Sequence, residues 1–326
     1  MKIAFVGKGG SGKTTLAALL ARHLAARGRP VLAIDADINQ HLAAALGRPQ
    51  EGGQADEPPP LGGHLDLIKE YLRGDNPRIA SAAEMVKTTP PGRGSRLLRV
   101  TGDNPVYAAC VREIGGVRLA ATGPFQSDDL GVACYHSKVG AVELLLNHLV
   151  DGPGEYVVVD MTAGADSFAS GLFTRFDVTF CVSEPTVRGA SVYRQYVGYA
   201  REGARDYGVT VHPVANKVTE PADLDFLRAA LGTEPLVAFG MSGFVRAAER
   251  AETRPIEHLE RATRDGLDVL IAAADAAPRD PARYSRLAAE FHARNATAWA
   301  NDRAGTDLTT QIDPDFVIPI LEEACP

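Results

Sequence analysis

The first fifteen residues constrain this chain more than any other stretch. The apolar run Lys2-Ile3-Ala4-Phe5-Val6 leads into Gly7-Lys8-Gly9-Gly10-Ser11-Gly12-Lys13-Thr14-Thr15 and then into a helical pattern. Closely spaced glycines let successive backbone N–H groups turn toward one point, and the helix that follows adds the positive end of its dipole. A polyphosphate fits such a loop. Gly9, Gly10, Ser11, Gly12, Lys13, Thr14 and Thr15 are therefore expected to wrap the phosphates. Lys13 should reach the β- and γ-oxygens and the Thr14 hydroxyl should ligate Mg²⁺, a hard cation that prefers oxygen.

Downstream, Leu16, Leu19, Leu20 and Leu24 form one helical stripe that Gly28 stops. Pro30-Val31-Leu32-Ala33-Ile34 has no alternation, as befits a strand buried on both faces, and it ends in Asp35-Ala36-Asp37-Ile38-Asn39. Carboxylates at the carboxyl end of a central parallel strand point into the ligand crevice. Strand character returns at Val117–Ala121, Tyr156–Asp160, Asp177–Ser183, Val209–Ala215 and Leu236–Phe239. Helices are expected from Ser137 to Leu149, from Thr186 to about Tyr207, around Phe244–Ala251 and over Ile256–Ala274. This rhythm predicts an α/β fold, a doubly wound and mostly parallel sheet flanked by helices. Asp160 closes the strongest strand and opens the turn Asp160-Met161-Thr162-Ala163-Gly164, the form of a Walker B carboxylate. The plainer alternatives are a strand-end cap for Asp37 and for Asp160, and a turn residue for Asn216.

Lys8, directly after the first glycine, makes the loop resemble the deviant Walker A signature. That group comprises ParA/MinD positioning ATPases, the nitrogenase iron protein, arsenical-pump ATPases and CooC-type nickel-insertion ATPases. The resemblance implies a homodimer that closes on ATP with Mg²⁺ and hydrolyses it to ADP and phosphate, the extra lysine reaching phosphates across the subunit interface. It also implies roles for single residues: Lys8, Lys13 and Asp37 in catalysis, with Asp37 orienting the attacking water; Asp160 and Gly164 in the switch that senses the γ-phosphate. Asn216, in Asn216-Lys217-Val218, would read adenine, and Thr14, Asp37 and Asp160 would surround Mg²⁺. The likeness covers roughly Met1–Gly47 and Val117–Pro255.

Within that group the CooC-type proteins are most similar, through Asp35-Ala36-Asp37, Asp160-Met161-Thr162-Ala163-Gly164 and Ser183-Glu184-Pro185-Thr186. Gly131-Val132-Ala133-Cys134-Tyr135-His136 lies where they carry Cys-x-Cys, with His136 in place of the second cysteine. The second switch holds no cysteine, so a four-cysteine iron–sulfur cluster between subunits lacks its ligands. Cys134 and His136 from two subunits would instead offer two thiolates and two imidazoles, a set for Zn²⁺ or Ni²⁺, against the plainer reading of Cys134 as a packing residue. The expected function is a metallocentre-maturation ATPase with a client protein. The alternatives are a ParA/MinD-like positioning ATPase and a regulatory ATP-binding adaptor with negligible turnover.

The chain divides into a P-loop ATPase domain over 1–278, with a surface insertion at about 48–116, and a C-terminal helix and tail over 279–326. In the insertion, Leu65–Arg73 and Ile79–Lys87 read as short helices between breaks rich in glycine and proline. With 326 residues, 45% of them hydrophobic, the chain can bury a large core. It has no apolar run long enough to span a bilayer and no secretory h-region, so a cytoplasmic setting with reduced Cys110, Cys134, Cys181 and Cys325 is expected. A net charge of −7 and a pI near 5.7 disfavour nucleic acid and anionic membrane as partners.

Overall fold

The computed structural model describes residues 1–47, 57–124, 135–164, 168, 171–201, 207–250, 252 and 254–321, with 135–138 described by their backbone alone. Among the described residues ten strands run in chain order: β1 (Lys2–Gly7), β2 (Val31–Ala36), β3 (Leu98–Arg99), β4 (Arg112–Ile114), β5 (Val117–Ala121), β6 (Leu149–Val150), β7 (Tyr156–Met161), β8 (Val178–Ser183), β9 (Val211–Val218) and β10 (Val237–Gly240). The helices begin with α1 (Lys13–Ala26), α2 (Leu42–Ala45), α3 (Leu65–Arg73), α4 (Pro105–Cys110), α5 (Tyr135–Asn147) and α6 (Val187–Ala200). They continue with α7 (Pro221–Leu231), α8 (Gly243–Ala248), α9 (Arg261–Asp275), α10 (Pro281–Asn295) and α11 (Asn301–Ala304).

Eight strands make one sheet in the order β10-β9-β8-β1-β7-β2-β5-β4, parallel throughout except for β4, while β3 and β6 form a separate parallel pair. β1 lies between β7 and β8, with Phe5 opposite both Asp160 and Phe180. The strand order reverses here, and in open parallel sheets ligands bind outside the carboxyl ends at such a switch point. The α/β, mostly parallel arrangement expected of the sequence is what forms.

Each central strand divides its side chains between two cores. Ile3 and Phe5 pack with Leu16 and Leu20 of α1 and with Leu267 and Leu270 of α9. Ala4 and Val6 face the other way, toward Leu144 of α5 and Tyr196 of α6. Burial on both sides is why these strands read as unbroken apolar runs. A fully buried side chain such as Phe5 contributes roughly 1.5–3 kcal/mol relative to exposure.

The stretch expected to run over the surface does not do so. Leu61, Ile68, Leu72, Ile79, Met85, Leu98, Val106 and Cys110 are buried in the same core as α5 and α6. α3 forms where the sequence predicts it, but Ile79–Lys87 yields only a 3₁₀ turn at Ala82–Glu84. The Arg73 guanidinium takes the carbonyls of Ile79 (2.8 Å) and Ala80 (3.2 Å), and the Ser81 hydroxyl takes the Ala83 N–H (3.2 Å). A helix would need those same groups for its own ladder. β4 was not foreseen either. It returns on β5 through Gly115 (φ +58) and Gly116 (φ +79), a two-residue turn with positive φ at both places, which glycine adopts without strain.

The C-terminal segment binds this covering layer. The Thr88 hydroxyl lies 3.1 Å from His292 Nδ1, the Thr89 hydroxyl donates to Gln311 Oε1 (3.0 Å), and Arg93 pairs with Asp313 (3.0 Å). α6 ends at Ala200 rather than near Tyr207, and the helix expected over Ile256–Ala274 forms as a 3₁₀ turn at Ile256–His258 followed by α9. Among the described residues, no helix is long and apolar enough to cross a membrane, and Cys110 and Cys181 are buried free thiols.

Candidate nucleotide site

The loop between β1 and α1 is shaped by what crowds it. Gly7 has φ +145, and a Cβ there would stand 2.4 Å from the Val182 carbonyl oxygen of β8. Gly12, the residue before α1, has φ +99, and a Cβ would meet Asn216 Nδ2 at 2.2 Å. Side chains at either position would force the loop off the sheet. Gly9 and Gly10 form the exposed rim. Lys13 is buried, its Nζ turned back to within 3.4 Å of the Lys8 carbonyl oxygen. Ser11 is fully buried and its hydroxyl has no partner among the described residues.

Opposite the start of α1, β2 and β7 end in acid. Asp35 and Asp160 stand at the same register of these adjacent strands, each about 1% exposed. Burial, and then the neighbouring Asp35 charge, push the Asp160 carboxyl up to about 8, although Thr14 and Lys13 oppose the shift. Burial also raises Asp35, to about 6, against the two N–H groups it accepts. Among the described residues Asp160 Oδ1 has no hydrogen-bond partner, while the Thr14 hydroxyl bonds the same carboxylate. An orphaned buried acceptor beside a hydroxyl and a second carboxylate suits a divalent, oxygen-loving cation. Thr14, Asp160 and Asp37 are the residues that would hold Mg²⁺. Among the described residues no three His, Cys, Asp or Glu side chains form a metal group.

Asp35 is a residue the sequence reading left without a role. Its two oxygens accept the N–H groups of Asp37 (3.1 Å) and Leu42 (2.9 Å), which fixes both ends of the loop that presents Asp37. Asp37 in turn takes the Asn39 N–H (3.0 Å) and Nδ2 (2.9 Å) through Oδ1. The Asp-x-Asp spacing at a strand end was the signal that could have marked Asp35 as the organiser.

The remaining expected residues meet at the same edge. Gly164, at φ +85, donates its N–H to the Gly7 carbonyl (2.9 Å), which stitches the turn after β7 to the start of the loop. Asn216 is buried and gives Nδ2 to the Ser11 carbonyl at 2.7 Å, so its amide braces the loop. Two charged residues without an assigned role are here too. Lys217, at φ +61, sets Nζ 2.6 Å from the Gly10 carbonyl, and Glu184 Oε1 lies 2.8 Å from Lys8 Nζ. Thr15 sits partly buried in the first turn of α1. His136 falls in the first turn of α5, and Cys134 lies outside the described residues.

Comparison with known proteins agrees with this geometry. The family model for the CobQ/CobB/MinD/ParA nucleotide binding domain (CbiA) matches residues 3–305. The carbon monoxide dehydrogenase accessory protein CooC of Rhodospirillum rubrum is 32% identical over 275 residues, covering 84% of this chain and 95% of its own. An ATP-binding protein of Methanocaldococcus jannaschii is 30% identical over 241 residues, 72% of this chain and 83% of its own. Among solved structures, the MinC:MinD cell division complex of Aquifex aeolicus superposes with a TM-score of 0.53 at 18% identity, covering 86% of this chain and 98% of that one. A ParA family ATPase from Chlorobium tepidum gives 0.52 at 14% identity, over 92% and 96%. These two share the fold.

Proposed function

Because the chain belongs to the CobQ/CobB/MinD/ParA nucleotide-binding family, we propose that it is a Mg²⁺-dependent ATPase that closes as a homodimer around ATP and acts on a client protein in metallocentre maturation. The observation that carries the ATPase reading is the Asp160 oxygen left without a partner among the described residues, beside Thr14, Lys13 and Asp35. Phosphoryl transfer to water needs positioning and charge stabilisation more than covalent chemistry. Loop amides and Lys13 would hold the β/γ-oxygens, Lys8 would meet the charge that develops, and Asp37 would orient the water. Bound Mg²⁺ would neutralise phosphate charge between Thr14, Asp37 and Asp160. Gly164 would report on the γ-phosphate by leaving Gly7. With Nδ2 on the loop, Asn216 Oδ1 is the atom that would accept the adenine amine.

The metallocentre branch draws on the likeness to the carbon monoxide dehydrogenase accessory protein, with Cys134 and His136 offered as a Zn²⁺ or Ni²⁺ site between subunits. The direct test is phosphate release from Mg·ATP, together with capture of the client by the hydrolysis-blocked Asp37→Asn protein. Capture of a metalloenzyme or its apoprotein supports the reading. ATP-dependent, salt-sensitive retention on DNA would replace it with a positioning ATPase, against which the net charge of −7 weighs. Tight ATP binding without phosphate release would mark a regulatory adaptor.

A further inference from the structure

Lys8, the lysine that distinguishes the loop, is already paired within its own chain. Its Nζ donates to Glu184 Oε1 at 2.8 Å, and the two side chains are only 34% and 16% exposed. Glu184 sits where β8 gives way to α6, in a turn with little slack. Its carbonyl accepts the Thr186 N–H (2.7 Å), and the Thr186 hydroxyl caps α6 by accepting the Gly189 N–H (3.0 Å). A Cβ on Gly189 would stand 2.5 Å from the Glu184 carbonyl oxygen, so the helix starts tight against the turn. The carboxylate is thereby held at one spot over the rim of the loop.

A second cation acts on the same carboxylate. Lys217 keeps a left-handed backbone conformation that is unfavourable for a non-glycine residue, and its ammonium lies on the Gly10 carbonyl. With Lys8 foremost and Lys217 contributing, Glu184 stays ionised below the usual carboxylate range. The rim thus carries one fixed anion answering two cations, at the place where a triphosphate would bring its own negative oxygens.

We propose that Glu184 is a positioning residue for Lys8, a stand-in anion that holds the lysine inside its own subunit until the phosphates of ATP in the closing dimer take its place. This rests on the ATP-sandwich reading given above. Closure must then break an intramolecular ion pair before Lys8 can engage phosphate, and Lys217 remains to balance the released carboxylate. The pair sets a threshold of ATP below which the subunits stay apart.

The experiment follows dimer formation against ATP concentration by light scattering, in the Asp37→Asn background so that nucleotide is not consumed. Glu184→Gln should lower the half-dimerising ATP concentration about three- to fivefold, the range a partly exposed ion pair supplies. Glu184→Asp, which keeps the charge, should restore most of the parental value. Raising the salt should narrow the gap between Glu184→Gln and parent, because screening weakens the pair. An unchanged or raised ATP requirement in Glu184→Gln overturns the proposal. So does an effect shared by Glu184→Asp, or one indifferent to salt, since either would mark a packing role. If no ATP-driven dimer forms at all, the sandwich reading fails and this proposal with it. A dimer whose ATP dependence ignores Glu184 overturns this proposal alone.

Discussion

Asp35 and Asp160 stand side by side at one register of two adjacent parallel strands, both buried, and the Asp35 charge adds to burial in raising the affinity of Asp160 for a proton or a cation. Asp160 keeps its proton up to about pH 8 in the fold, whereas the unfolded chain releases it near the ordinary 3.8. Between those values the folded state binds more protons than the unfolded state. The stability of the ligand-free protein attributable to this group therefore falls as pH rises from about 4 to about 8 and is flat above. Asp35, raised to about 6, adds in the same direction over the lower part of that window.

The measurement is the melting temperature of ligand-free protein from pH 5 to pH 9. Asp160→Asn should remove the alkaline decline and melt a few degrees above the parent at pH 8.5, since each kcal/mol moves a protein of this size by about 2–4 °C or less. It should also lose the stabilisation that Mg·ATP gives the parent. Identical pH profiles for the two proteins would show that Asp160 carries no such burden.

Lys13 and Asp37 separate binding from chemistry. Lys13→Ala leaves several phosphate charges without their main counter-charge, so ATP affinity should drop at least ~100-fold, a loss of about 2.7 kcal/mol. Asp37→Asn should bind ATP within a few-fold of the parent while hydrolysing at least ~100-fold more slowly, because only the organisation of the water is lost. Isothermal titration beside phosphate release reads both. Hydrolysis at the parental rate in Asp37→Asn would remove its assigned role.

His292 is the joint between the C-terminal segment and the layer over the sheet. It is fully buried, its Nε2 donating to the Leu308 carbonyl (2.9 Å) while the Thr88 hydroxyl reaches Nδ1 (3.1 Å). His292→Ala takes the imidazole donor from the buried Leu308 carbonyl, leaves the Thr88 hydroxyl only its 3.4 Å contact with Asn295 Oδ1, and opens a cavity, which should cost about 2–4 kcal/mol in urea unfolding. Burial lowers the imidazole below its usual value, so the stability it lends is present above about pH 6.5 and lost as the pH falls. His292→Ala should flatten that acid limb. A change under ~0.5 kcal/mol, the scale of an ordinary surface substitution, would mean that the joint contributes little.

Cys134 and His136 are tested by metal. Purified protein reconstituted with Zn²⁺ or Ni²⁺ under reducing conditions should hold one ion per dimer, and Cys134→Ser or His136→Ala should each weaken it by at least tenfold, since either change removes two of the four tetrahedral ligands, one from each subunit. Retention by both variants would leave Cys134 as a packing residue.

The sequence by itself determined the parts whose partners are close along the chain. The strand, loop and helix around Lys13, the Asp-x-Asp ending of β2 and the Asp160 turn after β7 are local patterns, legible because backbone geometry over a dozen residues fixes them. The doubly wound sheet followed from their alternation with helices. Only the tertiary structure decided what each charge meets. Lys8 finds Glu184 across 176 residues and Asn216 finds Ser11 across 205, because the crossovers bring β8 against β1 and β9 beside it. No spacing in the chain encodes those distances. Burial of the layer around Leu61, Ile79 and Met85 was hidden for a related reason: these apolar residues are held by turns and by Arg73 rather than by an α-helix or a strand. Without a period of 2 or 3.6, an irregular buried segment reads as an exposed one.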